Sequence, residues 1–400
     1  MSRERPNRVE RIMSKSDASL INGSISWLTL FYDLIIVAVF ARATYIYGKN
    51  PSWETLGFIG IALLSLYVMW SVTTLELLLA EKETWARRGV VFVQVCALLV
   101  TGLAMYRGGG ISDRFGFIAL TVAFLSLATL TQLRRQDPQS DHRFIRPLTV
   151  VSLVTAAIFA AGACFPMGFA INGFLIAWAF YGVGTLVAAI GYAAWAPRLI
   201  VAPSYVQSHL LNERFGVLLL IALGDAFVKV LEVLGAMRSI PQPQFLGLTI
   251  LFVVGVWLLY YPTLSNPALP RTLAEARSRI AAHFLLVVMG GVGIIAYVEL
   301  ATGFGEENHQ TQWTSLPVLG VMVSILWLTL LNDRKWTKKA WVLFTSCIAL
   351  VILTLLAEYA DTVSREIDLV ISNFVTLITA IILLEFHGKL RRATPPSQQL

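Results

Sequence analysis

Residues 26–47 read SWLTLFYDLIIVAVFARATYIY, an apolar stretch interrupted by two charged side chains, Asp33 and Arg42. An α-helix rises about 1.5 Å per residue, so a stretch of this length crosses the roughly 30 Å hydrocarbon core of a bilayer. Eleven further stretches of similar character follow, each bounded by charge, Pro or Gly. They cover 53–80, 89–106, 115–133, 148–165, 172–195, 212–235, 244–264, 280–302, 315–332, 340–360 and 367–387. The pattern predicts an all-α, polytopic membrane helix bundle of about 12 transmembrane helices.

The composition leads to the same class of protein. Hydrophobic residues make up 56% of the 400 residues and charged residues 14%, whereas soluble proteins average about 25% charged. A soluble globule of this composition has too few polar side chains to cover its surface. A soluble enzyme, a nucleic-acid-binding protein and a disulfide scaffold are therefore excluded. The three cysteines have neither metal nor redox spacing, and we expect them to be small core residues: Cys96, Cys164 and Cys347.

The distribution of Lys and Arg predicts the orientation of the bundle. If the N-terminus is cytoplasmic, 23 basic residues fall in cytoplasmic segments and 5 in the opposite loops, as the positive-inside rule requires. We therefore expect a multi-pass membrane protein with both termini cytoplasmic. Its parts are a basic segment at 1–25, a bundle at 26–387 with a retained first helix, and a tail at 388–400. The expected partners of the basic loops are anionic lipid headgroups rather than nucleic acid.

Two similar stretches raise the hypothesis of an internal duplication. LFYDLIIVAVFA at 30–41 opens the first predicted helix, and RFGVLLLIALGDAF at 214–227 opens the seventh. Since the two helices are offset by six, an even number, the halves would be a parallel repeat rather than an inverted one. The corresponding six-helix halves would be 26–195 and 209–387.

Charged residues at membrane depth are the candidates for function, because each costs roughly 2.5–3.5 kcal/mol or more unless it is paired or hydrated. Asp33 lies in the first helix and has no partner at a suitable spacing in that helix. In the seventh helix, Arg214 and Asp225 are 11 positions apart, which places them within about 20° on one face. Lys229 follows Asp225 by one turn on approximately the same face. The predicted path for a substrate or ion is lined by Asp33, His209, Glu213, Arg214, Asp225 and Lys229.

Structural interpretations of these charges stay open. Asp225 and Lys229 fit an intrahelical pair, and Glu213 with Arg214 fits an interfacial anchor. Arg42 is expected to extend its guanidinium to the interface. Solvation at the interface accounts for Glu76, Glu299 and Glu358, and His283 is expected to be a hydrogen-bonded core residue. A set of further residues could line a cavity or simply pack the bundle: Tyr32, Trp70, Thr73 and Thr74.

Two motifs resemble those of the bacterial low temperature requirement protein A family. They are LTLFYDLIIVAVFA at 28–41 and HLLNERFGVLLLIALGD at 209–225, and the family's versions are similar to ELFFDLVFVFA and H..ERFGLF.II.LGE. The resemblance implies a multi-helix protein of the bacterial inner membrane, whose family name describes a growth trait rather than a reaction. The sequence departs from the family at Thr29 and Asp225, where the family has Glu, and at Tyr32, where it has Phe. A carboxylate is retained at Asp225.

Three functions remain as hypotheses. The first is a transporter or channel-like permease in which the charged residues line a polar path for a proton or small ion. The second is an intramembrane enzyme that acts on a lipid or isoprenoid, with Asp33, Glu213 and Asp225 as acid or base groups. The third is a non-catalytic scaffold with fully paired charges. The charged residues favour the first hypothesis, and we assign no catalytic residue. The sequence shows no cluster with metal-ligand spacing and no motif for a cofactor.

Overall fold

A computed structural model describes nine helices with defined ends, a further helical segment at 213–225 and one small hairpin. The described residues are 27–49, 53–80, 84–106, 114–135, 142–165, 170–171, 174–201, 213–225, 228, 231, 243–265, 270, 272–302, 315–332 and separate positions between 341 and 379. The all-α, polytopic bundle predicted from the apolar stretches is confirmed. The described positions within the predicted eleventh and twelfth helices are all helical.

The helices follow the apolar stretches closely. They are α1 (Trp27–Lys49), α2 (Trp53–Leu78), α3 (Trp85–Tyr106), α4 (Arg114–Arg134), α5 (His142–Cys164), α6 (Ile176–Val201), α7 (213–225), α8 (Pro243–Ser265), α9 (Leu273–Thr302) and α10 (Ser315–Asn332). Helices α5 and α9 begin six and seven residues before the predicted starts, because their first turns carry charged residues that lie outside the apolar stretches.

The segment before α6 is a hairpin, not the start of a helix as predicted. Strands β1 (Ala170–Ile171) and β2 (Phe174–Leu175) pair antiparallel, with Ile171 opposite Phe174. The sequence between the strands is Asn172-Gly173, a pair that favours the positive φ angles of a two-residue hairpin loop. This local turn preference delays the start of α6 to Ile176.

Helix α2 lies at the centre of the described bundle. It packs against α1, α4, α6 and α9, while α3, α4, α5 and α6 pack in sequence against one another. Helix α9 packs against α1, α2, α6, α8 and α10. Because α2 contacts α1 and α9, residues far apart in the chain meet along its surface.

Contacts between helix ends show which ends share a side of the bundle. Glu76, near the end of α2, pairs with Arg134 at the end of α4. Arg277, near the start of α9, donates to the carbonyl of Ala193 near the end of α6. We call this side the basic end: α2, α4 and α6 end there, and α9 begins there. Alternate crossing of the membrane by successive helices produces this arrangement.

Small residues allow helices α4, α5 and α6 to approach closely. A Cβ atom on Gly162 of α5 would lie 2.6 Å from the ring of Phe117 in α4, and one on Gly184 of α6 would lie 2.8 Å from the ring of Phe159 in α5. Between membrane helices there is little hydrophobic driving force, so close van der Waals packing and hydrogen bonds hold them together. Hydroxyl contacts join the same helices, Thr131 to Thr149 at 2.8 Å among them.

Seven of the described helices contain a segment long and apolar enough to span a membrane, and α8 and α10 contain shorter apolar segments. Their outward faces expose large apolar side chains such as Phe31, Phe92 and Ile190, as lipid-facing surfaces do. The prediction for the cysteines was wrong at two positions: Cys96 and Cys164 are exposed and free. Cys96 shares the outward face of α3, where a small apolar side chain suits lipid as well as a core. Cys347 lies outside the described residues.

Candidate functional site at a buried ion pair

The centre of the candidate site is an ion pair between α1 and α7. The Arg214 guanidinium donates to Oδ2 of Asp33 at 3.0 Å, and the exposed fractions of the two side chains are 4% and 0%. Asp33 is the seventh residue of α1, about 9 Å along the helix axis from its start. The pair is thus removed from solvent and lies within the apolar part of both helices.

Trp70 of α2 supplies a second donor to the same carboxylate. Its indole Nε1 donates to Oδ1 of Asp33 at 2.7 Å, so each carboxylate oxygen accepts one hydrogen bond from a different helix. The Trp70 ring also meets the Phe215 ring edge-on, with centroids 5.3 Å apart. Both Trp70 and Phe215 are buried. The aromatic rings exclude water from the ion pair, which strengthens its electrostatic attraction.

His283 of α9 also contacts Phe215. The imidazole stacks on the Phe215 ring with centroids 4.3 Å apart. Its Nε2 is 2.9 Å from the Tyr260 hydroxyl of α8, and its Nδ1 is 2.9 Å from the carbonyl oxygen of Arg279. Both ring nitrogens therefore have partners, as expected for a hydrogen-bonded core histidine. Through these contacts α7, α8 and α9 are joined around one aromatic cluster.

A second row of polar contacts continues along α2 toward the basic end. Thr73, one turn after Trp70, donates to Oε1 of Gln94 in α3 at 3.0 Å. A further turn on, Glu76 accepts from Arg134 of α4 at 3.4 Å. All four residues are buried. Polar groups thus line α2 continuously from the ion pair to the end of the helix.

The expectation of interfacial solvation for Glu76 was wrong. Glu76 is 2% exposed and its partner Arg134 is 7% exposed, because the ends of α2 and α4 pack against each other and cover both charges. Three arginines that fall just outside the predicted spans are Arg87, Arg134 and Arg279. All three lie in helices and are buried.

The structure brings only some of the predicted path residues together. It brings Asp33 and Arg214 into contact, whereas Glu213 is exposed and Asp225 is half-buried. Asp225 lies 11 residues along α7 from Arg214, about 16 Å by helix rise. His209 and Lys229 lie outside the described residues, so the predicted pair of Asp225 with Lys229 stays a prediction.

Among the residues expected to line a cavity, Trp70 contacts the ion pair and Thr73 contacts Gln94. Tyr32 and Thr74 are fully buried beside them. A cavity of about 210 Å³ lies nearby between α2, α6 and α9, and its lining includes Tyr67 and Phe284 but none of these four residues. The Tyr67 ring packs against Trp70 and Phe215, so this cavity and the ion pair share an aromatic wall.

Sequence reasoning missed several groups of the site. It treated Trp70 as a lining residue rather than a donor to Asp33, and it assigned no role to Phe215 or Tyr260. A signal existed for Phe215, which follows Arg214 directly in the motif ERFG. No signal marks Trp70 as a donor, because 37 positions separate it from Asp33 and a helix pattern does not indicate which neighbour it meets.

The chemistry available at this site is electrostatic. A buried carboxylate and a buried guanidinium face each other. A proton or another cation could compete for Asp33, and an anion could compete for Arg214. Among the described residues, no group of three His, Cys, Asp or Glu side chains could hold a metal ion. The site thus provides one anionic and one cationic group at membrane depth.

The fold and the site define a multi-pass α-helical membrane protein with an internal ion pair. The family model for the bacterial low temperature requirement A protein (LtrA) matches residues 24–383. The chain therefore belongs to the LtrA family, and the match includes both Asp33 and Arg214. No curated protein matches the chain.

Proposed function

We propose that this protein is a permease for a proton or a small ion, and that the ion pair of Asp33 and Arg214 closes its path. The observation that carries the proposal is the pair itself, which is buried in the apolar part of the bundle and joins the first helix to the seventh. In this conformation each charge holds the other, so an ion cannot bind either one. Release of the pair would free both charges to bind an ion.

Stability alone gives a poor account of such a pair. Replacing a buried ion pair by well-packed apolar residues is often neutral or stabilising, because desolvation of the two charges offsets their attraction. Ionisable groups inside membrane helices commonly belong to ion or proton pathways instead. The third hypothesis, a scaffold, requires the pair to have a structural role and nothing else.

The proposed path follows α7 from the ion pair toward Asp225. Asp225 lies about 16 Å along α7 from Arg214, which is roughly half the thickness of the hydrocarbon core. Asp225 is half-buried rather than enclosed, which favours a role as an intermediate binding group along the path. Arg214 would attract an anion or repel a cation at the basic end.

The orientation is part of the proposal. The basic end gathers Arg87, Arg134, Arg277 and Arg279, all in the set of residues that the positive-inside rule assigns to the cytoplasm. We infer an inner-membrane protein whose ion pair lies nearer the cytoplasmic face. The tail at 388–400 would then be cytoplasmic.

Flux measurements on the purified full-length protein test the proposal. For protons, valinomycin sets up a potassium diffusion potential across proteoliposomes that contain a pH-sensitive dye, and the dye reports proton flux. Parallel preparations report the flux of sodium and of chloride. We expect faster dissipation of one of these gradients than in protein-free liposomes. Asp33→Asn and Asp225→Asn each remove a carboxylate that binds the ion once the pair has opened, so both should slow it at least tenfold even though Asp33→Asn also removes the closing pair. Glu275→Gln, a carboxylate change elsewhere on the basic end, should leave it unchanged. Equal rates with and without protein for all three ions would refute the permease.

A charge exchange separates transport from packing. The double variant Asp33→Arg with Arg214→Asp retains a pair but moves each charge to the other helix. If the pair is part of an ion path, the exchanged protein folds and still fails to transport, since the groups that face the path have changed places. Full recovery of flux in the exchanged protein would favour a pair that packs the bundle.

A further inference from the structure

Arg277 of α9 is held in place by a defect in α6. Pro197 lies inside α6 and has no N–H, so the carbonyl of Ala193, four residues earlier, lacks its helical donor. The Arg277 guanidinium supplies that donor: Nε is 2.6 Å from the Ala193 oxygen, and Nη2 is 3.2 Å from the Ala194 oxygen. The proline therefore creates the acceptor that fixes the arginine between the two helices.

The fixed guanidinium retains free hydrogen-bonding capacity. It has five N–H donors, and the two contacts with α6 use two of them. Arg277 is exposed at the surface of the bundle, so its remaining donors are accessible to a ligand. A planar cation with several donors in fixed positions suits a phosphate group.

An apolar cavity of about 210 Å³ opens beside this guanidinium. Its walls are segments of three helices: α2 from Leu64 to Val72, α6 from Ala189 to Pro197, and α9 from Arg277 to Phe284. Arg277 is the one charged residue among those that line it. Ala193 and Ala281 are exposed at its rim, where small side chains leave the entrance open.

The position of the cavity matches the geometry of a membrane lipid. Arg277 is the fifth residue of α9, about 6 Å from the helix start, where the lipid headgroups of one leaflet lie. From Arg277 the cavity extends along α9 to Phe284, about 10 Å toward the membrane interior. A phosphate on Arg277 would thus place an attached acyl chain directly in the apolar cavity.

We infer that the groove between α2, α6 and α9 binds one molecule of an anionic phospholipid, with its phosphate on Arg277 and an acyl chain in the cavity. Charge complementarity favours an anionic lipid over a neutral one, because the single charged group that lines the cavity is a cation. The apolar walls favour a lipid over free phosphate, because phosphate alone would leave these walls uncovered. This site is separate from the ion pair and does not depend on the permease.

Lipid binding to the purified full-length protein tests the site. Native mass spectrometry of the protein in detergent, titrated with phosphatidylglycerol or with phosphatidylcholine of the same chains, reports the number and affinity of bound lipids. We expect one tightly bound phosphatidylglycerol and at least tenfold weaker binding in Arg277→Gln. Arg135→Gln, which removes an exposed arginine at the end of α4, should bind as the wild type does. Equal affinities in the two variants would overturn the proposal.

A second variant tests the acyl part of the site and does not remove the contact with α6. Ala281→Trp would fill the rim of the cavity, and we expect it to weaken phosphatidylglycerol binding at least tenfold. Inorganic phosphate should displace little lipid at millimolar concentration, since it gains nothing from the apolar walls. Unchanged lipid affinity in Ala281→Trp, or ready displacement by phosphate, would show an anion site without a lipid chain and would overturn the assignment.

Discussion

Removal of one partner from the Asp33–Arg214 pair should destabilise the bundle strongly. The two atoms are 3.0 Å apart and the side chains are 0% and 4% exposed. Unit charges 4 Å apart attract by about 4 kcal/mol at an effective dielectric constant of 20. Loss of one partner leaves the other charge buried and uncompensated, and such losses cost about 3–5 kcal/mol. We expect that range for Asp33→Asn and for Arg214→Gln.

The double variant identifies the cause of the loss. With both charges removed, no isolated ion stays buried, so Asp33→Asn with Arg214→Gln should lose less than the sum of the single losses. We expect a coupling of about 2 kcal/mol, within the usual range for residues in direct contact. An ordinary hydrogen bond between membrane helices averages about 0.6 kcal/mol. The size of the coupling therefore distinguishes an ion pair from a neutral polar contact.

The assay is reversible unfolding of the purified protein, with sodium dodecyl sulfate titrated into dodecyl maltoside micelles and helicity followed by circular dichroism. As a control, Glu275→Gln combined with Arg214→Gln should be additive within about 0.5 kcal/mol, as expected for separate sites. A coupling of about 0.6 kcal/mol or less between Asp33 and Arg214 would refute the reasoning. Single losses below 1 kcal/mol would do the same.

Three further outcomes are expected. Trp70→Phe removes the indole donor to the carboxylate and should cost about 1.5–3 kcal/mol in the same assay, whereas Trp85→Phe at an exposed position should cost little. Gly184→Ala should destabilise by about 1–3 kcal/mol, since its methyl group would meet the buried Phe159 ring; Gly182→Ala, with open space around it, should be neutral or slightly stabilising. A fluorescent protein fused to the C-terminus should fluoresce in cells if the tail is cytoplasmic, and a dark, membrane-inserted fusion would contradict the orientation.

The sequence by itself determined the helices. In a bilayer each backbone N–H and C=O must be bonded within the same segment, so a long apolar run such as 26–47 becomes a helix whatever its neighbours are. The predicted runs and the observed helices agree within a few residues for most of the bundle. The largest differences are the early starts of α5 and α9, whose first turns carry charge. Before α6, strand β2 at Phe174–Leu175 takes the place of the predicted helix start, as the adjacent pair Asn172-Gly173 favours.

The sequence also identified Asp33 and Arg214 as costly in lipid, and through the motifs at 28–41 and 209–225 it indicated the family. It did not indicate that they are partners. The helix pattern assigns a residue to a face of its own helix, and the two residues are 181 positions apart. A pair across that separation exists because α1 and α7 pack together, and no local pattern encodes this contact.

Only the tertiary structure determined which charged groups at the helix ends are buried. Glu76 and Arg134 each resemble an ordinary interfacial charge in sequence, and they become a buried pair because the ends of α2 and α4 meet. Likewise, Pro197 and Arg277 are separate features until α6 and α9 pack together. Hydrophobicity and backbone bonding are local and are read from the chain, whereas the partner of a buried charge is set by which helices touch.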